Sequence, residues 1–169
     1  YNAQGGMIHG TISYARFWNG TVVSPGDIQE LYKNRETRNP SIFGTVATTI
    51  PDSYDSSIVA TPYNGVIFST AGAEFDGVDD YVDLTPWEFG GSMSVEAYVK
   101  FDTLNRYTRI FEFTEDSVSD DDVILYNEQY SGNQGTWGVR ADGSWKALVS
   151  SSSSFFQVDT WVHVVATVD

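Results

Sequence analysis

Asp76-Gly77-Val78-Asp79-Asp80 places three carboxylates within five residues, and Asp83 follows closely. Calcium takes about six to eight oxygens, from carboxylates and carbonyls on a bent loop. Asp76, Asp79, Asp80 and Asp83 are therefore candidate calcium ligands. A plain turn, in which Asp76 hydrogen-bonds its own backbone, accounts for the same letters without a metal. Residues 115–122, EDSVSDDD, make a second acidic loop with Asp116, Asp120, Asp121 and Asp122, but without the glycine-punctuated spacing of an EF-hand. Sugar binding needs aromatic platforms beside amide or carboxylate hydrogen-bonders. Trp87, Tyr107, Tyr126, Tyr130, Trp137 and Trp145 are the aromatic candidates. Tyr130, Asn133 and Gln134 share one polar loop beside Trp137, and these four form a candidate carbohydrate rim. With ten tyrosines, ten phenylalanines and five tryptophans, most rings belong to a core. Histidine occurs twice, as His9 and His163, and no local pattern joins either to a Ser-His-Asp arrangement. Asn19-Gly20-Thr21 fits the N-glycosylation acceptor pattern, on a turn.

The elements that must position these residues read as strands. Ser92–Phe101 alternates, with Met93, Val95, Ala97, Val99 and Phe101 on one side and Ser94, Glu96, Tyr98 and Lys100 on the other. A period of two sends one set to a core and the other to water or a ligand. Residues 7–18, MIHGTISYARFW, read as a strand with a bulge at Gly10. Phe43–Ile50, Ile58–Ala60, Val66–Ser69, Tyr81–Leu84, Tyr107–Phe113 and Val123–Asn127 read as further strands. Thr136–Arg140 and Ser144–Ser150 make a hairpin around Ala141-Asp142-Gly143. Thr160–Val168 is apolar in part on both faces, which suits a strand central in a sandwich. One short helix is predicted near residues 25–33. Ser24 caps it, Pro25 takes the first helical position, and Ile28, Leu31 and Tyr32 share a face. Residues 33–40, KNRETRNP, are a charged connector, and the serine run 150–154 is a loop tip. Many short strands and one helix define an all-β protein, an antiparallel β-sandwich.

Composition bounds the function. At 169 residues the chain is one domain of ordinary size. A net charge of −14 argues against nucleic acid as a partner, because phosphate binding needs clustered Lys and Arg. It argues equally against an anionic membrane surface. No apolar run approaches the roughly 20 residues that span a bilayer, so no membrane insertion is expected. Without cysteine there is no disulfide framework and no thiolate site. No signal peptide stands at the start, and Tyr1 is not an initiator methionine, so the chain is expected to be processed, excised or part of something longer.

Residues 75–84, FDGVDDYVDL, the alternating strand after them and residues 161–169, WVHVVATVD, together resemble the laminin-G-like branch of the concanavalin A-like superfamily. Residues 60–84, ATPYNGVIFSTAGAEFDGVDDYVDL, with VKFDTLNRYTRIFEF after them, are most similar to laminin-G-like domains in large proteins of algae and of their viruses. The resemblance runs in order over Ser41–Asp169. It implies a two-sheet jelly roll, a calcium at the sandwich rim and a structural role for His163. Residues 10–34, GTISYARFWNGTVVSPGDIQELYKN, resemble instead the end of such a domain: its last strand, a turn and a short helix. Residues 1–35 are thus expected to be the closing strand and helix of a laminin-G-like unit, permuted or from a preceding repeat. Residues 36–169 are then the front part of a jelly roll that lacks its final hairpins. The glucanase branch carries Glu-x-Asp-x-Glu along one strand, which sets the acids on one face. Glu112, Glu115 and Asp116 come nearest to that pattern, and their spacing scatters them over two faces and a loop. The resemblance therefore implies no enzyme. It implies an adhesion or scaffold module in a repeated or filamentous assembly outside the cell, at a cell surface or on a virion. Neighbouring copies or repeats are the expected partners, joined by strand completion. The alternative is a calcium-dependent carbohydrate-binding lectin with glycans as partners, and a glycoside hydrolase is a distant third.

Overall fold

The computed structural model describes residues 7–33, 50–51, 57–86, 91–114, 121–128 and 132–169. Twelve strands and one helix occur among them: β1 His9–Asn19, α1 Pro25–Lys33, β2 Ile50–Pro51, β3 Val59–Tyr63, β4 Ile67–Ser69, β5 Gly72–Asp76, β6 Tyr81–Leu84, β7 Met93–Thr103, β8 Thr108–Thr114, β9 Asp122–Glu128, β10 Gln134–Ala141, β11 Ser144–Ser150 and β12 Trp161–Val168. A five-stranded sheet has the order β12-β7-β1-β5-β4, and a four-stranded sheet the order β11-β10-β9-β8. The two form an antiparallel β-sandwich of the jelly-roll type. A third, small sheet, β2-β3-β6, adds to the two that were expected.

The alternation of β7 decides where the core lies. Met93, Val95, Ala97, Val99 and Phe101 are all buried on its inner face, and each of the larger four contributes about 2 kcal/mol by leaving water. Opposite them pack Ile110, Val123, Leu125 and Trp137 of the second sheet. The loop after β11 closes one end, where Phe156 is buried against Phe101 at 5.0 Å between centroids.

β1 lies at the centre of the five-stranded sheet, paired with β7 on one side and β5 on the other. Its register slips at His9/Gly10, where the bulge was expected, and again between Ile12 and Tyr14. The second slip inverts the strand's alternation. Ile12 and Phe17 face the core, while Tyr14 and Arg16 stand with Tyr98 and Glu96 on the outer face. Gly72 makes room for it: a Cβ there would lie 2.2 Å from the Ile12 carbonyl oxygen and 2.6 Å from Ser13 Cα.

Helix α1 begins as its letters predict. Ser24 accepts from the Asp27 backbone N–H at 3.2 Å and donates to the Asp27 carboxylate at 2.6 Å. Such a cap stabilises the first turn by about 1 kcal/mol. The segment before the helix lies on the outer face of β7, where the Val23 N–H donates to Ser94 Oγ at 2.8 Å and Ser94 donates to the Thr21 carbonyl at 2.8 Å.

The strands expected at Ile58–Ala60 and Val66–Ser69 fall in different sheets: β3 pairs with β2 and β6, and β4 with β5. Two sequence expectations differ from the structure. Among the described residues β12 is an edge strand paired with β7, not a central one. The polar side of β7 does not all face water, because Ser94 and Glu96 are buried under the segment that leads into α1 and the side chains of β1 and β12. Of the strand expected at Phe43–Ile50, only Ile50 is among the described residues, in β2; residues 34–40 of the charged connector also lie outside them. The serine run is a loop, tied down by the Ser151 and Ser154 amides on the Gly135 and Gly132 carbonyls.

Candidate functional site

Two chain crossings between the small sheet and the five-stranded sheet lie side by side, one at Asn64–Val66 and one at Asp76–Asp80. The Asn64 amide donates to the Asp79 carbonyl at 2.9 Å and holds the crossings together. Asp76 Oδ1 accepts from the Val78 N–H at 2.8 Å, which is the self-bonded turn expected of that aspartate. Asp80 is only 3 % exposed, and its Oδ2 accepts from the Asp76 N–H at 2.8 Å. Its other oxygen, Oδ1, is buried with no hydrogen-bond partner. One carboxylate oxygen each from Asp76, Asp79 and Asp80 all fall within 4.8 Å of one another. Calcium–oxygen distances of about 2.3–2.6 Å let two ligand oxygens stand up to ~5 Å apart, so this spacing fits a single cation. Asp83 is not brought in; it stands exposed on β6, opposite Thr61 of β3.

A second constellation lies on the outer face of the five-stranded sheet. Glu96 is 0 % exposed. One of its oxygens accepts from His163 Nε2 at 2.7 Å and from the Tyr14 hydroxyl at 3.1 Å, and the other from Arg16 at 3.2 Å. Burial pushes the Glu96 carboxyl up, but the His163 hydrogen bond, the Arg16 guanidinium and the Tyr14 hydroxyl together hold it below its ordinary value of 4.5. Tyr32 of α1 lies over the His163 ring at 5.7 Å. His163 thus packs and hydrogen-bonds, as expected of it. Trp161, Tyr98 and Tyr14 run as neighbouring rings across β12, β7 and β1, with centroids 4.8 Å and 6.0 Å apart.

The proposed carbohydrate rim does not assemble among the described residues. Trp137 is 5 % exposed and packs on Phe111 inside the sandwich, so its faces are closed to a sugar. Gln134 spends its amide on the Ser151 carbonyl at 2.8 Å. Asn133 turns the chain with φ +59° and accepts from the Phe156 N–H at its backbone carbonyl. Tyr130 and Trp87 lie outside the described residues, as do Asp116 and Asp120 of the second acidic loop. Asp121 caps the turn of the β10–β11 hairpin by accepting from the Asp142 N–H, and Asp122 begins β9. Tyr107 and Tyr126 meet edge to face, and Trp145 of β11 lies across Gly138 of β10. Asn19 ends β1, and its side chain is not among those described. His9 meets Thr103 Oγ1 at 3.0 Å, while Asp102 stands 4.0 Å away, beyond hydrogen-bond reach, and pairs with Lys100.

Sequence reasoning missed the partners of Glu96. Tyr14 and Arg16 share a face by alternation, but no local pattern reveals that β1 and β12 flank β7 in the register that sets them beside Glu96. It also missed Tyr63 and Tyr81, which are directly opposed across β3 and β6.

A laminin-G family model, described as the concanavalin A-like lectin/glucanases superfamily, matches residues 76–169. The chain belongs to this superfamily, in its laminin-G-like branch. The family supports a carbohydrate-binding or scaffold module in general terms. No curated protein and no solved structure matches the chain. Among the described residues no helix is long and apolar enough to cross a membrane.

Proposed function

We propose that the chain is a non-catalytic adhesion or scaffold module of an extracellular, cell-surface or virion-surface assembly, which joins neighbouring copies or repeats by strand completion. The edge of β12 carries this reading. Val162, Ala166 and Val168 of β12 pack on the core yet stay partly exposed; β7 lies on one side of the strand and, among the described residues, no strand follows on the other. An open edge with an apolar flank is a template for a further strand. Self-association that rises with concentration, and that is lost when Thr167→Lys puts a charge on that edge, is the expected result; a chain that stays monomeric contradicts it.

The surroundings of Glu96 speak against catalysis. Glycosidases need two carboxyl groups about 5–9.5 Å apart around an accessible bond. Glu96 is sealed, and its partners are His163, Arg16 and Tyr14. Glu74 shares the outer face but stands level with Lys100, four residues along β7, which is about 13 Å at strand spacing.

A second reading, a calcium-dependent carbohydrate-binding domain, is favoured by the orphaned Asp80 Oδ1 among three close carboxylates. Asp76, Asp79 and Asp80 would hold the cation, which would neutralise their mutual repulsion and lock the two crossings. Calcium at a hundredfold excess over its Kd adds about 2.7 kcal/mol, which at ~2–4 °C per kcal/mol raises Tm by 5 °C or more. Asp79→Asn should abolish that shift without lowering the Tm in EDTA, because it relieves like-charge repulsion. Identical melts in calcium and EDTA for the unaltered chain would remove the cation.

A further inference from the structure

We infer that the exposed face of the small sheet is a binding site for neutral pyranose sugars, built on Tyr63 and Tyr81; the inference rests on the carbohydrate-binding reading and gives it a location. Tyr63 ends β3 and Tyr81 begins β6, and the two are register partners. Their rings are stacked, 4.8 Å between centroids and 12° from parallel. Each ring fixes the other, so a ligand that docks against the pair meets a surface already ordered. The two residues are nonetheless 40 % and 45 % exposed. β6 is the outer strand of its sheet, and β2 reaches only as far as Ala60 along β3, so among the described residues no strand flanks either ring.

The surroundings select the ligand. Strand alternation puts Thr61 and the exposed carboxylate of Asp83 on the same face as the two tyrosines, while Val82 turns to the core. An aromatic wall next to a carboxylate and hydroxyls suits a pyranose, whose C–H face stacks on the ring while its hydroxyls donate to the acid. A protein partner needs roughly 800 Å² of contact from each side, far more than two rings with polar neighbours supply as a core. Asp83 stands exposed on the same face, and the whole chain carries a net charge of −14, so sulfated or uronic glycans are repelled. Neutral sugars remain.

Affinity electrophoresis tests this in native gels that contain a soluble β-glucan, a galactomannan or a sulfated galactan. Retardation by at least one neutral polysaccharide is expected, with none by the sulfated one. Tyr63→Thr/Tyr81→Thr should abolish it; threonine keeps the strand propensity, and an unchanged melting curve confirms the fold. Tyr63→Phe/Tyr81→Phe, which keeps the rings, should retain at least half of the retardation and guards against a misfolded threonine variant. Retardation that survives both threonine substitutions would overturn the site while leaving carbohydrate binding intact. No retardation of the unaltered chain by either neutral polysaccharide would overturn both, and stronger retardation by the sulfated galactan would overturn the ligand class.

Discussion

Glu96 carries its charge at a position with no solvent access, and its partners come from two different strands, Tyr14 and Arg16 from β1 and His163 from β12. Removing one member of such a buried set leaves the others desolvated and unpaired. Glu96→Gln should therefore lower stability at pH 7 by about 3 kcal/mol, read as a loss of Tm. The sign of the pH dependence follows from the carboxyl being held below 4.5 in the fold. The folded state binds that proton more weakly than the unfolded chain, so the stabilisation is whole above pH 4.5 and is lost as pH falls through the folded value. A glutamine has no such limb, and the Tm difference between the two proteins should narrow as the pH drops below 4.5. The sequence made the alternation around Glu96 plain but not its burial, because burial depends on the segment before α1 and on two register choices far along the chain. The acid turn was more legible: Asp76, Asp79 and Asp80 converge as their spacing suggests. Asp83 does not, because β6 leaves the turn for a different sheet.

At the scale of elements, the second slip in β1 is what brings the outer face into being. Without it Tyr14 would follow Ile12 into the core, and Arg16 would lose its place beside Glu96. Gly72 on β5 is the residue that accommodates the bulge. Gly72→Ala should cost on the order of 3 kcal/mol through overpacking and a strained φ of +138°. Gly91→Ala is the control: its φ is +76° with open space around it, so it should cost about 1 kcal/mol from strain alone. Equal Tm losses for the two variants would mean that the bulge tolerates a side chain. Local letters marked the Gly10 bulge, the α1 cap and the Asp142-Gly143 hairpin, since each is decided by residues within a few positions. They did not mark the slip at Ser13 or the separation of β3 from β4, which are decided by partners some 60 residues away in one case and by a change of sheet in the other.

At the scale of the molecule, the chain is a laminin-G-like sandwich in which, among the described residues, β1 sits at the centre of the larger sheet and β12 lies at its edge. The fold class was legible because period-two alternation and turn residues recur throughout. The position of β12 was not, since two partly apolar faces describe a central strand and an edge strand awaiting a neighbour equally well. The proposed strand completion would give that edge to another copy. Sedimentation velocity of the isolated 169-residue chain across a wide concentration range addresses this most directly. Species that grow with concentration, and that collapse to monomer in Thr167→Lys, are predicted. A single compact monomer at every concentration would mean that the fold is closed as it stands, and would contradict assembly through β12.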